Sequence, residues 1–127
     1  MSNQLSFFPD VDEKKVRSLV AKELKLYKAL KIRQQNKKEL DENGITEHIF
    51  PKLLQNDAEN EFKVIHIERT LNNSLDQIER QIIEMKYLSL ERQNDLTIYL
   101  ELGLQKNSYY EKKKQALFMI ASSLGII

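Results

Sequence analysis

Few residues in this chain can interrupt a helix. Its 127 residues include three glycines and two prolines, and no sustained stretch alternates apolar and polar residues as a half-buried β-strand would. Apolar residues recur instead at steps of three and four, which places them on one face of an α-helix. Gly44, Gly103 and Gly125 stand where helices should end, because glycine tolerates a positive φ. The sequence therefore predicts an all-α fold.

Two apolar stripes organise the chain. An N-terminal amphipathic helix, capped by Asp10 or Asp12, carries the first stripe, which consists of Val16, Leu19, Val20, Leu24, Tyr27 and Leu30. The second stripe consists of Val64, Ile67, Leu71, Leu75, Ile78, Ile82 and Met85. Within it, Asn72-Asn73-Ser74 fits the polar face of one continuous helix or a break after which Ser74 caps a new helix. We favour the break, because Asn and Ser prefer caps to helix interiors.

Charge is distributed unevenly along the chain, although the net charge is only +1. Residues 1–40 contain ten basic and five acidic residues, whereas residues 41–62 contain one basic and six acidic residues. A chain polarised in this way can present a basic face to nucleic acid. The alternative is a Lys-rich helix that is merely solvated.

These patterns divide the chain into three predicted parts. Residues 1–44 form an N-terminal helical arm, a candidate for dimerisation or another interaction. Residues 45–62 form an acidic connector, in which Pro51 can start one short helical turn. Residues 63–127 form a C-terminal helical unit.

The C-terminal unit has the element order of a helix-turn-helix. A short helix, capped by Asn94 or Asp95, ends at Leu102, and Gly103 allows the chain to reverse. A longer helix follows Leu104 and is predicted to bury Tyr109, Ala116, Leu117, Ile120 and Leu124. In helix-turn-helix proteins the first turns of the second helix reach base edges in the major groove. The sequence therefore predicts double-stranded DNA as the partner.

Segments at both ends of the chain resemble a known family. They are Phe8-Pro9-Asp10-Val11-Asp12-Glu13, Ile78-Glu79-Arg80, Ile98-Tyr99, Glu101-Leu102-Gly103-Leu104, Tyr109-Tyr110 and Leu124-Gly125-Ile126, and they are similar to the ArpU family of phage and prophage transcriptional regulators. The region from Leu75 also resembles the fourth conserved region of bacterial sigma factors. Two positions depart from the sigma-factor pattern: Gln105 is a poor helix cap, and Tyr99 stands where a small residue is usual. The ArpU pattern accepts Tyr there.

This resemblance implies a helix-turn-helix domain like region 4 of sigma factors. It also implies a regulator, an activator of late lytic genes, in the cytoplasm of a bacterial host. A single helix-turn-helix buries little surface on DNA, so we expect a homodimer, a contact with RNA polymerase, or both, through the N-terminal helix. Two alternatives remain: a helical module that acts on RNA polymerase or a sigma factor without reading DNA, and a DNA-recognition subunit of a phage packaging machine.

The polar face of the second helix supplies the candidate DNA contacts. They are Lys106, Asn107, Ser108, Tyr110, Glu111, Lys113 and Lys114. Asn107 can form two hydrogen bonds with adenine, Tyr110 can offer its hydroxyl or pack on a thymine methyl, and Glu111 can accept from cytosine. The lysines suit phosphates, which position a protein without reading sequence. The alternative is a solvated face on which Glu111 pairs with Gln115 or a nearby lysine.

No pattern in the sequence indicates catalysis or a metal site. The chain has no cysteine, and His48 and His66 alone, without a tight carboxylate cluster, rarely bind a metal. No Ser-His-Asp order or phosphate-binding loop appears, so we expect no enzymatic activity, cofactor or metal.

The lack of cysteine suits a reducing cytoplasm. No apolar run is long enough for a membrane span, and the start lacks the features of a signal peptide.

Overall fold

Helices and turns make up the described part of the chain. The computed structural model describes residues 12–44, 50–54 and 57–127. Its α-helices are α1 (Glu13–Glu42), α2 (Ala58–Asn73), α3 (Gln77–Ile83), α4 (Asp95–Glu101) and α5 (Lys106–Ser123). A 3-10 turn over Pro51–Leu54 lies between α1 and α2, and a π-helical turn over Glu84–Leu88 continues α3. These residues contain no strand, and the predicted all-α class is confirmed.

Asp and Asn side chains define the starts of several helices. The Asp12 carboxylate accepts hydrogen bonds from two backbone N–H groups of the first turn of α1, at 3.0 and 3.2 Å. Asp57 caps α2 and Asn94 caps α4 in the same way, at 3.2 and 2.8 Å. These bonds satisfy N–H groups that otherwise lack a partner at a helix start. Asp12 and Asn94 are therefore the caps among the predicted alternatives, while Asp10 lies outside the described residues.

The second apolar stripe is divided between α2 and α3, as predicted, but the predicted cap of α3 is wrong. Asp76, not Ser74, begins this helix. The Asp76 carboxylate accepts from the Glu79 backbone N–H at 2.7 Å, and the Glu79 carboxylate accepts from the Asp76 backbone N–H at 2.8 Å. This reciprocal pair is a capping box. The Ser74 hydroxyl donates instead to the Thr70 carbonyl at 2.6 Å, at the end of α2.

Part of the predicted acidic connector is helical. Residues 58–62 form the first turns of α2, and Glu59 and Glu61 lie where carboxylates interact favourably with the helix dipole. Pro51 begins a short 3-10 turn that contacts α1. Residues 45–49, which include His48, and residues 55–56 lie outside the described part of the chain.

One large hydrophobic core joins four of the helices. Its buried side chains are Val16, Val20 and Leu24 of α1, Ile67 and Leu71 of α2, Ile83 of α3, and Ala116, Leu117, Phe118, Ile120 and Ala121 of α5. Burial of apolar surface is the main source of folding free energy. The predicted N-terminal arm is therefore not separate in the structure, because the first half of α1 lies in the same core as the C-terminal helices.

A smaller cluster holds α4 against α3 and α5. Its fully buried members are Ile82 of α3, Ile98 of α4 and Tyr109 of α5. Ile82 and Ile83 are neighbours in the sequence but belong to different clusters, because successive helical residues point about 100° apart. Helix α3 thus connects the small cluster to the large core.

We expect Leu24→Ala to destabilise the whole chain in a single cooperative transition. Leu24 is fully buried among side chains of α2, α3 and α5, so its truncation should cost about 2–5 kcal/mol. Leu26→Ala is the matched control on the same helix, since Leu26 is 38% exposed and its truncation should cost about 1 kcal/mol or less. Chemical denaturation followed by circular dichroism measures both. Two transitions, with the C-terminal helices unfolding separately, would show that α1 is an independent unit.

Candidate nucleic-acid interface

Helix α4, residues 102–105 and α5 form a helix-turn-helix arrangement. Gly103 has a φ of +71°. Its backbone N–H donates to the Leu100 carbonyl at 3.2 Å, and the Leu104 N–H donates to the Tyr99 carbonyl at 2.9 Å. This pair of hydrogen bonds is a Schellman motif, which ends a helix with a residue in the left-handed region. Gly103 is therefore the turn residue that the sequence predicted.

Helix α5 begins at Lys106 without a side-chain cap. Its N-cap residue, Gln105, has an extended backbone but makes no capping hydrogen bond, as expected for a poor cap. Tyr99 packs beside the small cluster, with its ring centroid 5.5 Å from that of Tyr109. The large side chain at position 99 is thus part of the contact between α4 and α5.

Hydrogen bonds from two buried side chains of α5 to one carboxylate fix this helix against the first turn of α4. The Tyr109 hydroxyl donates to Asp95 Oδ1 at 2.5 Å, and the Lys113 ammonium donates to the same oxygen at 3.0 Å. The Lys86 ammonium lies 3.6 Å from it. Tyr109 is fully buried and Lys113 is only 7% exposed. Because an ammonium group is costly to remove from water unless an opposite charge compensates it, Lys113 depends on Asp95.

The pKa values of these groups are shifted. Burial lowers the pKa of Lys113, and its bond to Asp95 offsets only part of that effect. Burial tends to raise the pKa of Asp95, but hydrogen bonds from Tyr109 and Lys113 outweigh burial and hold it below its usual value. Burial, followed by the Asp95 carboxylate, raises the pKa of Tyr109 well above its usual range. At neutral pH the tyrosine is therefore a donor and the carboxylate is ionised.

The structure exposes six of the seven predicted DNA contacts and buries the seventh. Lys106, Asn107, Ser108, Tyr110, Glu111 and Lys114 are exposed. Lys113 was predicted to contact phosphate, but it follows the buried Tyr109 by four residues and so lies on the same face of α5. Its ammonium is bound to Asp95 and is not available to a phosphate. The spacing from Tyr109 is the sequence signal that would have shown this.

Tyr110 is exposed but held in place by its neighbours. Its ring packs edge-on against Tyr109, with centroids 5.1 Å apart and planes at 77°. The Lys113 ammonium lies 5.8 Å from the centroid of the Tyr110 ring, a cation–π contact. A side chain that is already ordered loses less conformational entropy when it binds a partner. Tyr110 is thus suited to contact a ligand.

The other two lysines of the 112–114 run form ion pairs with other helices. Lys112 Nζ lies 2.7 Å from Asp76 Oδ2 at the start of α3, and Lys114 Nζ lies 2.6 Å from Glu13 Oε1 at the start of α1. Exposed pairs of this kind contribute little to stability, so Lys114 can exchange Glu13 for a phosphate at small cost. Across the described ranges Glu111 forms neither an ion pair nor a hydrogen bond, which leaves its carboxylate free to accept one.

The described residues show no sign of a metal site or a membrane span. Within residues 12–44, 50–54 and 57–127, no three His, Cys, Asp or Glu side chains are grouped so as to hold a metal ion. None of the helices in these ranges combines the length and the apolar character that a membrane span requires. His66 is exposed and stacks on Phe62, with ring centroids 6.3 Å apart.

We expect Gly103→Val to lower the stability of the protein by roughly 1–3 kcal/mol, the cost of a β-branched residue at positive φ. A Cβ at this position would meet no heavy atom within 4 Å, so the cost arises from the backbone conformation alone. Gly103→Asn is the matched control, because Asn adopts positive φ more readily than Val, and it should cost less. Thermal unfolding compares the three proteins. Equal losses for Val and Asn would contradict a conformational cause.

We expect Asp95→Asn to destabilise the protein by about 2 kcal/mol at neutral pH, since it removes a charged acceptor of two hydrogen bonds. The folded-state pKa of Asp95 is lowered, so the carboxylate's contribution is complete above its unfolded-state pKa of about 4. That contribution is lost as the pH falls through the folded-state pKa.

Urea denaturation from neutral to acidic pH measures this difference. The stabilities of wild type and Asp95→Asn should differ by a constant amount down to about pH 5 and converge at lower pH. Asp41→Asn, at an exposed carboxylate near the end of α1, should change stability by no more than about 0.5 kcal/mol. A difference at position 95 that persists undiminished in acid would contradict charge compensation as its cause.

Comparison with known proteins identifies no relative. No protein-family model matches the chain, and no curated protein or solved structure matches it.

Proposed function

We propose that this protein is a sequence-specific transcriptional regulator that binds double-stranded DNA through α5. The proposal rests on the difference between the two sides of this helix. One side is anchored through Tyr109 and Lys113 to Asp95 of α4, while the opposite side of its first turns is exposed and polar. A helix that reads bases has to be held rigidly from behind while its front face stays free to enter the major groove.

The exposed side chains match the chemistry of base edges and phosphates. In this proposal Asn107 forms a bidentate contact with adenine, Tyr110 packs on a thymine methyl, and Glu111 accepts from cytosine N4. Lys106 and Lys114 contact phosphates. The hydroxyl of Ser108, in the first turn of α5, contributes a further hydrogen bond. Lys113 takes no part in DNA binding in this proposal, because its side chain is buried against Asp95.

The resemblance to the ArpU family supports a narrower form of the proposal. In this form the protein is encoded by a phage or prophage, acts in the cytoplasm of a bacterial host and activates late lytic genes. A single DNA-binding module buries only about 600–1,000 Å² of protein surface. We therefore propose that it binds as a homodimer or together with RNA polymerase.

A helical protein-interaction module is the second candidate, and exposed leucines favour it. Leu90 is 96% exposed, and Leu96 and Leu100 are exposed one turn apart on α4. Neighbouring exposed apolar side chains, such as Leu96 and Leu100, are typical of contacts with other proteins. In this alternative the chain acts on RNA polymerase or a sigma factor and does not read DNA.

Selection from a pool of DNA duplexes with randomised centres separates the two candidates. A sequence-specific regulator enriches a preferred sequence and binds it more tightly than a scrambled duplex of the same length and composition. Fluorescence anisotropy measures both affinities. Failure to enrich any sequence would favour the interaction module.

We expect Asn107→Ala and Tyr110→Ala each to cost roughly 1–3 kcal/mol on the enriched duplex, with little effect on the scrambled one. Asn36→Ala, at an exposed amide far along α1, is the matched control and should change neither affinity. If the Asn107 and Tyr110 variants keep full discrimination between the two duplexes, α5 does not read sequence.

Replacement of the exposed lysines should have a different effect. Lys106→Ala and Lys114→Ala should weaken binding to both duplexes by similar factors, because phosphate contacts are independent of sequence. Each should also flatten the slope of log affinity against log salt concentration by about 0.9. Loss of affinity for the enriched duplex alone would show that these lysines contact bases rather than phosphates.

A further inference from the structure

A groove of about 890 Å³ opens beside the exposed face of α5. Its walls are the first turns of α1, the π-helical turn with the loop that leads to α4, and the middle of α5. Tyr110, Glu111 and Lys114 belong both to this groove and to the candidate DNA-contacting face. The groove therefore extends that face across to α1.

Basic side chains outnumber acidic ones along the groove. Its cationic members are Lys14 and Arg17 of α1, Lys86 of the π-helical turn, Arg92 of the following loop, and Lys113 and Lys114 of α5; its carboxylates are Glu13, Asp95 and Glu111. Two of the three carboxylates are already neutralised, since Asp95 is bound to Lys113 and Glu13 is paired with Lys114. The groove thus presents an excess of positive charge.

Three of the cations have no carboxylate partner within the described part of the chain. Lys14, Arg17 and Arg92 are exposed, and among the described residues no acidic side chain lies within ion-pair distance of them. The face of α1 that is turned towards α2 differs, because there Glu23 pairs with Lys63 at 3.1 Å and Lys31 pairs with Glu68 at 2.5 Å. Unpaired cations that line a concave surface attract anions.

We propose that this groove binds the phosphate backbone of the same DNA that α5 contacts, through Lys14, Arg17 and Arg92. The inference rests on the proposed function, because α5 is taken to lie in the major groove. Guanidinium and ammonium groups are the usual protein ligands of DNA phosphates. The first turns of α1 are also held at a fixed position relative to α5, since Val16, Val20 and Ala116 belong to one core. Helix α1 therefore presents its cations without the entropy cost of ordering a mobile arm.

A substitution at Glu13 tests the proposal by an expected increase, rather than a decrease, in affinity for DNA. On the lining of the groove its carboxylate forms an ion pair with Lys114, with Oε1 2.6 Å from Nζ. The negative charge of Glu13 also repels phosphate. Glu13→Gln removes this charge and releases Lys114. The variant should therefore bind DNA more tightly than wild type, a result that damage to the fold would not produce.

The experiment measures binding of the intact chain to a duplex of fixed, scrambled sequence over a salt series. Arg17→Gln and Arg92→Gln should each weaken binding and flatten the log–log salt slope by about 0.9, which reduces the affinity lost between 50 and 200 mM salt by about threefold. Glu13→Gln should strengthen binding and steepen the slope by about the same amount.

Matched controls carry the same chemical changes away from the groove. Arg69→Gln alters an exposed arginine of α2 beside the C-terminal end of α5. Glu23→Gln alters another paired carboxylate of α1, on the side that faces α2. Both should leave the affinity and the salt slope unchanged.

The outcomes separate this inference from the proposed function. If the groove variants bind like wild type while Asn107→Ala loses discrimination, the groove proposal is wrong and the proposed function stands. If the groove variants behave as expected but no sequence is enriched and Asn107→Ala has no effect, the groove holds DNA and sequence reading is wrong. Tighter binding to an RNA duplex than to the DNA duplex, with the same dependence on Arg17, would overturn DNA as the ligand.

Discussion

Lys113 can be buried only because the Asp95 carboxylate lies 3.0 Å from its ammonium. The same carboxylate oxygen accepts the Tyr109 hydroxyl at 2.5 Å, so two residues one turn apart on α5 are bound to the first turn of α4. This double attachment fixes the rotation of α5 about its own axis. The rotation in turn decides which side chains face solvent, and it leaves Asn107 and Tyr110 on the outer surface. The candidate DNA-contacting face thus depends on a contact made on the opposite side of the helix.

The large core fixes the position of α1, as the contact with Asp95 fixes that of α5. Val16, Val20 and Leu24 pack among side chains of α2, α3 and α5, so the start of α1 is rigidly placed beside α5. Without this packing, Lys14 and Arg17 would be two solvated residues at the start of a helix. With it, they form one wall of a basic groove that continues the exposed face of α5. The same packing explains why a chain with a net charge of +1 has a locally cationic surface.

The run Lys112-Lys113-Lys114 shows how far the sequence predicts the site. Successive residues of a helix point about 100° apart, so three consecutive lysines cannot share one environment. Lys112 pairs with Asp76, Lys113 is buried against Asp95, and Lys114 reaches Glu13 on α1. Periodicity alone indicates that Lys113 lies on the buried face, four residues after Tyr109. It does not reveal the carboxylate that makes burial of the charge possible, because Asp95 is eighteen residues away in the sequence.

The sequence by itself determined the features that depend on neighbouring residues. The helical class follows from apolar spacing and scarce breakers, and the turn follows from a glycine that can adopt a φ of +71°. The sequence narrowed two helix caps to Asp10 or Asp12 and to Asn94 or Asp95, and the structure shows that Asp12 and Asn94 bind N–H groups two or three residues away. Tertiary structure decided the rest. It placed α1 in the same core as α2, α3 and α5. It buried Lys113, which was expected to contact phosphate, in an ion pair with Asp95. It also brought Arg17, Arg92 and Lys114 together in one groove. These residues lie far apart along the chain, and only the packing of helices through space brings them together.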